Sequence, residues 1–209
     1  MCKLILLFVW AISVIGFLYG YNGFFRRLLR IPPPKVLQIG FLHGSNIPNS
    51  FYKQFLNTLQ DEFDIPLNIT YLPYFPQEPL QNNTIIMGHS FGGFFGLLYC
   101  IMDQSRNINN VKGCVLLNSH FNERYKMPYI GVKQNKLKIP VLTLLNRDDD
   151  KLPLPKALDD YEVSIERKDT RKRYIVNSGT HSSSFTSDVE IELVCKQIKD
   201  FVSFYGLDK

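Results

Sequence analysis

An α/β architecture, a mostly parallel sheet of about six strands with helices on both faces, is predicted for this 209-residue chain. Three observations predict it. From residue 36 onward, short apolar runs alternate with longer amphipathic ones, without repeats or low-complexity tracts. The composition, 45% hydrophobic and 21% charged, is that of a folded protein, not a disordered or polyelectrolyte chain. Ahead of the alternation, Leu4 to Tyr21 form an apolar run without a charge, which predicts one N-terminal transmembrane helix.

In chain order, that run comes first. At about 1.5 Å per helical residue it spans roughly 27 Å, against about 30 Å of bilayer hydrocarbon. A cleaved signal peptide is the competing reading. The run is longer than the apolar region of a signal peptide, and no A-x-A-like site follows it. Arg26, Arg27 and Arg30 flank it on one side against Lys3 on the other, which predicts that the following domain stays on the cytosolic side. Residues 1–30 are thus read as an anchor with a basic flank. Ile31-Pro-Pro-Pro34 reads as a stiff linker over 31–35, since consecutive prolines favour an extended conformation. The domain occupies 36–209.

Within the domain, Val36–Leu42 reads as a buried strand. Asn49–Phe63 reads as a helix with Phe51, Phe55 and Leu59 along one face. Leu67–Tyr71 is a second strand and Thr84–Met87 a third, leading into a helix from Ser90 to about Met102. Val111–Leu117 and Pro140–Leu145 are the fourth and fifth strands. A weaker helix over Leu154–Ser164, a sixth strand over Arg173–Asn177 and an amphipathic helix over Asp188–Tyr205 complete the order.

Charge and cysteine usage exclude several functions. The net charge is +5, but residues 1–30 carry +4 of it, leaving the domain nearly neutral. A nucleic-acid binder needs a basic folded domain, so no nucleic-acid partner is expected. Cys2, Cys100, Cys114 and Cys195 form no C-x-x-C pair, and His43, His89, His120 and His181 are scattered. Neither a disulfide scaffold nor a metal site is expected, and no cofactor is implied. Cys100, Cys114 and Cys195 lie in apolar runs, where cysteine behaves as a small buried hydrophobe.

In parallel α/β sheets ligands collect at the carboxyl ends of the strands, so chemistry is sought there. The third strand ends in Gly88-His-Ser-Phe-Gly-Gly93, a G-x-S-x-G sequence. Alone the pattern carries little information. Between an apolar strand and an apolar helix it carries much more, because that setting holds a serine on a tight turn with its hydroxyl projecting over the sheet. Here the chain resembles the α/β-hydrolase superfamily, over roughly residues 35–205, in the GHSFGG form found among lipases and esterases. The resemblance implies a serine esterase or lipase-like enzyme with a Ser-His-Asp triad, in a minimal version of the fold lacking the family's first two antiparallel strands.

The superfamily's chain order is nucleophile, acid, histidine. Ser90 takes the first place. The acid is expected after the fifth strand, in Asn146-Arg-Asp-Asp-Asp-Lys-Leu-Pro153. The family's Gly-x-x-Asp turn, with proline four residues after the acid, selects Asp149, although Asn146 replaces the glycine. Asp148 and Asp150 stay open as alternatives. His181, in Gly179-Thr-His-Ser-Ser-Ser-Phe185, falls where the family keeps its general base. Two backbone N–H groups should form the oxyanion hole. The resemblance assigns one to Phe91 and the other to Ser45, in the loop Phe41-Leu-His-Gly-Ser-Asn46. His43 reads as a loop-orienting side chain rather than a second base. His89 receives no role, and His120 is placed near the fourth strand's end, at the edge of a pocket.

The expected chemistry is acyl transfer from an ester to water. Proximity to a bilayer favours a lipid or acyl ester as substrate and the membrane as partner. Ser119–Ile139 is too short for a large cap and is rich in Arg124, Lys126, Lys133, Lys136 and Lys138. It reads as a solvated basic loop or a lipid-headgroup contact. Two alternatives share this sequence: a noncatalytic membrane-tethered binding protein on the same fold, and a peptidase or amidase with the same triad.

Overall fold

The computed structural model describes residues 35–75, 79–119, 137–158 and 172–208. Its contacts divide the chain into residues 1–35 and 36–209. The anchor expected over 1–30, nearly all of the linker, most of the basic loop and His120 lie outside the described residues. Among the described residues no helix is long and apolar enough to cross a membrane.

Residues 36–209 build a six-stranded sheet. Its elements are β1 (Leu37–Leu42), α1 (Lys53–Glu62), β2 (Leu67–Tyr71), β3 (Thr84–His89), α2 (Phe91–Ser105), β4 (Val111–Leu117), β5 (Val141–Asn146), β6 (Lys172–Asn177) and α3 (Asp188–Phe204). The order across the sheet is β2-β1-β3-β4-β5-β6, and all five pairings are parallel. The chain reverses its direction of travel across the sheet between β1 and β3. The carboxyl ends of these two strands are the usual ligand position in such sheets.

Strands β3 and β5 are buried throughout, as strands covered on both faces must be. Their alternation sorts side chains into two cores. Ile39, Phe41, Ile85, Met87, Val115 and Leu117 face α1 and α3, packing with Phe55, Leu59, Val194 and Ile198. Leu42, Ile86, Cys114 and Leu116 face α2, packing with Phe95, Leu97 and Cys100. Cys100, Cys114 and Cys195 are buried thiols, and burial pushes the Cys195 thiol up to about 12.

Differences from the sequence reading are confined to element ends. The segment expected as one helix over Asn49–Phe63 starts as a 3₁₀ turn, Asn49–Tyr52, and becomes α-helical only at Lys53. The winding changes at Tyr52 (φ −92°, ψ 0°), whose ring is fully buried. Strand β3 runs two residues beyond Met87, because the ladder continues through Gly88↔Leu116 and His89↔Leu117. Pairing on both sides overrides the poor strand propensity of glycine. Of the helix expected over Leu154–Ser164, residues 154–158 are helical and 159–164 lie outside the described residues.

The β3–α2 turn is the tightest point of this packing. A Cβ on Gly88 would lie 2.5 Å from the Gly92 carbonyl oxygen, and one on Gly92 would strike the carbonyl oxygens of Leu42 and His43. Backbone, not a flexible side chain, blocks both positions. Gly92→Ala should therefore destabilise the protein by about 1–3 kcal/mol, read as a lower urea midpoint. An unchanged midpoint would show that β1 and α2 can separate without cost.

Candidate active site

Ser90 occupies the turn between β3 and α2 with φ 51° and ψ −121°. A non-glycine residue held there costs on the order of 1–3 kcal/mol. Two backbone bonds impose the conformation: Ser90 N–H donates to Leu117 O (2.9 Å), and Gly93 N–H donates to Ser90 O (3.0 Å). The side chain is half-buried at the carboxyl edge of the sheet. Among the described residues its hydroxyl has no hydrogen-bond partner, His181 included. Such bonds commonly tighten only when substrate is bound.

The three aspartates after β5 separate by burial. Asp148 and Asp150 are exposed, and Asp150 pairs with Lys151 at 3.0 Å in solvent. Its carboxyl is held below the ordinary range chiefly by that bond. Asp149 is buried. Its Oδ2 accepts from His181 Nδ1–H at 2.7 Å. Its Oδ1 accepts the N–H groups of Lys151 (2.8 Å) and Leu152 (2.7 Å). Three donors on one carboxylate fix its rotamer. The carboxylate in turn selects the His181 tautomer that leaves Nε2 free to accept a proton.

The loop carrying His181 is tied down by its backbone. Asn146 Nδ2 donates to Thr180 O (2.6 Å), and Asn118 Nδ2 donates to His181 O (2.8 Å). Arg147 N–H donates to Asn177 O and Asp148 N–H to Gly179 O, so the loops after β5 and β6 are bonded to each other. Asn146, where the sequence resemblance implied a glycine, thus has a task that glycine could not perform. Both asparagines follow apolar strands at the sheet's carboxyl edge, which was the signal available for finding them.

On the other side of Ser90, the loop after β1 lies against the start of α2, where the Gly92 contacts hold it. Phe91 is the first residue of α2, so helix geometry gives its N–H no partner within the helix. Ser45 is exposed, and its N–H has no partner among the described residues. His43 Nδ1–H donates to Gly44 O (2.8 Å) within its own loop, and its ring lies 5.0 Å from that of Tyr74, in the segment after β2. The Gly44 N–H points inward to Tyr52 Oη (2.8 Å).

His89, without a role in the sequence reading, is fully buried between these two sides. Its ring lies 4.9 Å from that of His181 and 4.5 Å from that of Phe185. Burial first, and the neighbouring His181 second, lower its pKa to about 3. It therefore stays neutral in the folded protein. An unfolded histidine binds a proton below about pH 6.5, while folded His89 refuses one until about pH 3. Its contribution to stability is thus complete above about pH 6.5 and shrinks by about 1.4 kcal/mol per unit as pH falls toward 3. His89→Gln should flatten that part of the acid limb in melts recorded from pH 7 to 4. An acid limb of unchanged slope would mean that His89 protonates normally in the fold.

No protein-family model matches the sequence, and no curated protein matches it either. Solved structures do match. Alpha/beta hydrolase domain-containing protein 10 from mouse is 13% identical, with a TM-score of 0.59 over 83% of this chain and 92% of its own. Est1E from Butyrivibrio proteoclasticus is 14% identical, with a TM-score of 0.57 over 84% and 90%. A serine hydrolase involved in carbazole degradation is 12% identical, with a TM-score of 0.57 over 82% and 92%. With its parallel sheet and flanking helices, the chain has the α/β-hydrolase fold.

Proposed function

We propose that this protein is a membrane-anchored serine hydrolase that cleaves carboxylic esters with an apolar acyl group. The observation that carries the reading is the Asp149–His181 pair, held at 2.7 Å on a loop bonded to the residue next to Ser90. In the proposed reaction His181 Nε2 takes the Ser90 proton as Oγ attacks the ester carbonyl. Asp149 stabilises the imidazolium, and the N–H groups of Phe91 and Ser45 bind the oxyanion. The alcohol leaves with the proton from His181. Water, deprotonated by the same nitrogen, then attacks the acyl-Ser90 carbonyl and releases the acid. No metal or cofactor takes part in this scheme.

An aromatic surface beside the serine supports the apolar acyl group. Phe91 is 46% exposed, and its ring meets those of Tyr74 and Phe95 at 5.5 and 4.9 Å. Phe75, 63% exposed, extends the cluster from Phe95. Exposed contiguous aromatics next to a polar reacting centre suit a chain that is apolar at one end and carries an ester at the other. The charge-free run Leu4–Tyr21 supports anchoring, and its arginine flank supports a cytosolic domain.

Three measurements test the reading. A fluorophosphonate probe should label the full-length protein, and Ser90→Ala and His181→Ala should abolish labelling. Well-folded native protein that is not labelled would favour the noncatalytic alternative. On p-nitrophenyl esters, Asp149→Asn should lower kcat by about 10³–10⁴-fold, and kcat/KM should rise from acetate to octanoate. A preference for acetate would remove the aromatic surface from the acyl site. Asn68 and Asn82 are exposed within N-x-[ST] sequons, so they report topology. Both should remain unglycosylated in a microsomal assay; modification of either would overturn the cytosolic assignment.

A further inference from the structure

A buried chain of hydrogen bonds crosses the domain beneath Ser90. Gly44 N–H donates to Tyr52 Oη at 2.8 Å, and Tyr52 Oη lies 2.9 Å from His89 Nδ1. At the far end, His89 Nε2 lies 3.2 Å from the His181 carbonyl oxygen. One proton arrangement satisfies every member. A carbonyl only accepts, so His89 Nε2 carries the proton and Nδ1 is bare. Tyr52 then donates to Nδ1 while its oxygen accepts from Gly44. Tyr52 and His89 are both fully buried, and burial pushes the tyrosine hydroxyl far up, so it keeps its proton.

The two ends of this chain are the two halves of the site. Gly44 precedes Ser45 in the loop assigned to the oxyanion hole, and the His181 carbonyl belongs to the residue assigned as base. Phe185, from the His181 loop, closes over the middle, 5.0 Å from the Tyr52 ring and 5.1 Å from that of Phe55. We propose that His89 is a positioning residue: with Tyr52 it fixes the oxyanion loop and the His181 loop in one register across the nucleophile turn. This rests on the serine-hydrolase reading above. His89 hydrogen-bonds no reacting atom and acts through the backbone of Gly44, by way of Tyr52, and of His181. Because the chain is neutral and each member is satisfied, it orders both loops without placing a second charge beside the imidazolium that forms on His181.

Three substitutions separate positioning from mere filling of space. In His89→Gln the amide nitrogen reaches the place of Nε2, keeping the bond to His181 O. In His89→Asn the amide oxygen stands near Nδ1 and accepts from Tyr52, but nothing reaches His181. Tyr52→Phe keeps the ring and removes both bonds of the hydroxyl. On p-nitrophenyl butyrate with the full-length protein, His89→Asn and Tyr52→Phe should lower kcat by about tenfold to a hundredfold, with KM within about twofold. His89→Gln, which keeps the His181 bond but offers no acceptor to the Tyr52 hydroxyl, should lose about as much as Tyr52→Phe. Native kcat in any of the three variants, or an effect confined to KM, would overturn the proposal.

NMR of the ¹⁵N-histidine-labelled protein supplies a readout that needs no turnover. Native protein should show one histidine that keeps the neutral Nε2–H form from pH 8 to 5, and its signal should vanish in His89→Gln. A titrating ring, or an Nδ1–H tautomer, would overturn the relay. The His181 Nδ1 proton shared with Asp149 should broaden or shift in Tyr52→Phe. If native protein lacks esterase activity, the serine-hydrolase reading fails, and this proton still decides the positioning role: an unchanged signal sinks it.

Discussion

The close approach of β1 and α2 beneath Ser90 is the contact on which the rest of this structure depends. Gly92 lies against the carbonyl oxygens of Leu42 and His43, and Gly88 lies against Gly92. Because no side chain intervenes, the chain leaves β3 and enters α2 with almost no slack. Ser90 absorbs the change of direction at a positive φ. That conformation is unfavourable by itself. It persists because the β3–β4 ladder reaches Ser90 N–H on one side and the first turn of α2 holds Ser90 O on the other. The same approach brings the loop after β1 against the start of α2.

Around that fixed point the site is assembled from loops, which are ordinarily mobile. Their order comes from polar side chains rooted in rigid strands. Asn118 stands just past the end of β4 and Asn146 ends β5, and each grips a backbone carbonyl of the loop that carries His181. Asp149 is held by two backbone N–H groups before it meets the imidazole. A carboxylate anchored in this way is held in one orientation toward the imidazole. Tyr52 and His89 extend the principle to the interior. A buried hydroxyl and a buried imidazole are costly if unmatched, and each meets complementary partners on both sides.

Much of the fold was legible because it is written in periodicity. Apolar runs at residues 85–87 and 114–117, and the run 141–145 broken only by Thr143, signal strands buried on both faces. The spacing of Phe55 and Leu59 gives α1 its buried face. Element ends were less legible, since pairing and packing decide them. Gly88 and His89 join β3 because neighbouring strands continue beside them, and the 3₁₀ turn before α1 accompanies a tyrosine that the core encloses.

The candidate site divides in the same way. Ser90, a run of three aspartates and His181 follow one another at strand ends, and that order is a property of the chain alone, because each strand predicts its own carboxyl-terminal loop. Which aspartate meets His181 is not such a property. Asp148, Asp149 and Asp150 are chemically identical, and only the bonded loops after β5 and β6 turn one inward and leave the others in solvent. His89 and Tyr52 were equally silent: apart from Gly44, eight residues before Tyr52, their partners lie 37 and 92 residues away along the chain, beyond the reach of any local pattern. The sequence by itself determined the strand–helix order and the place of each reactive residue type along it, since these follow from local periodicity. Only the tertiary structure decided which polar groups face one another, because burial and hydrogen-bond partnership arise when distant segments pack.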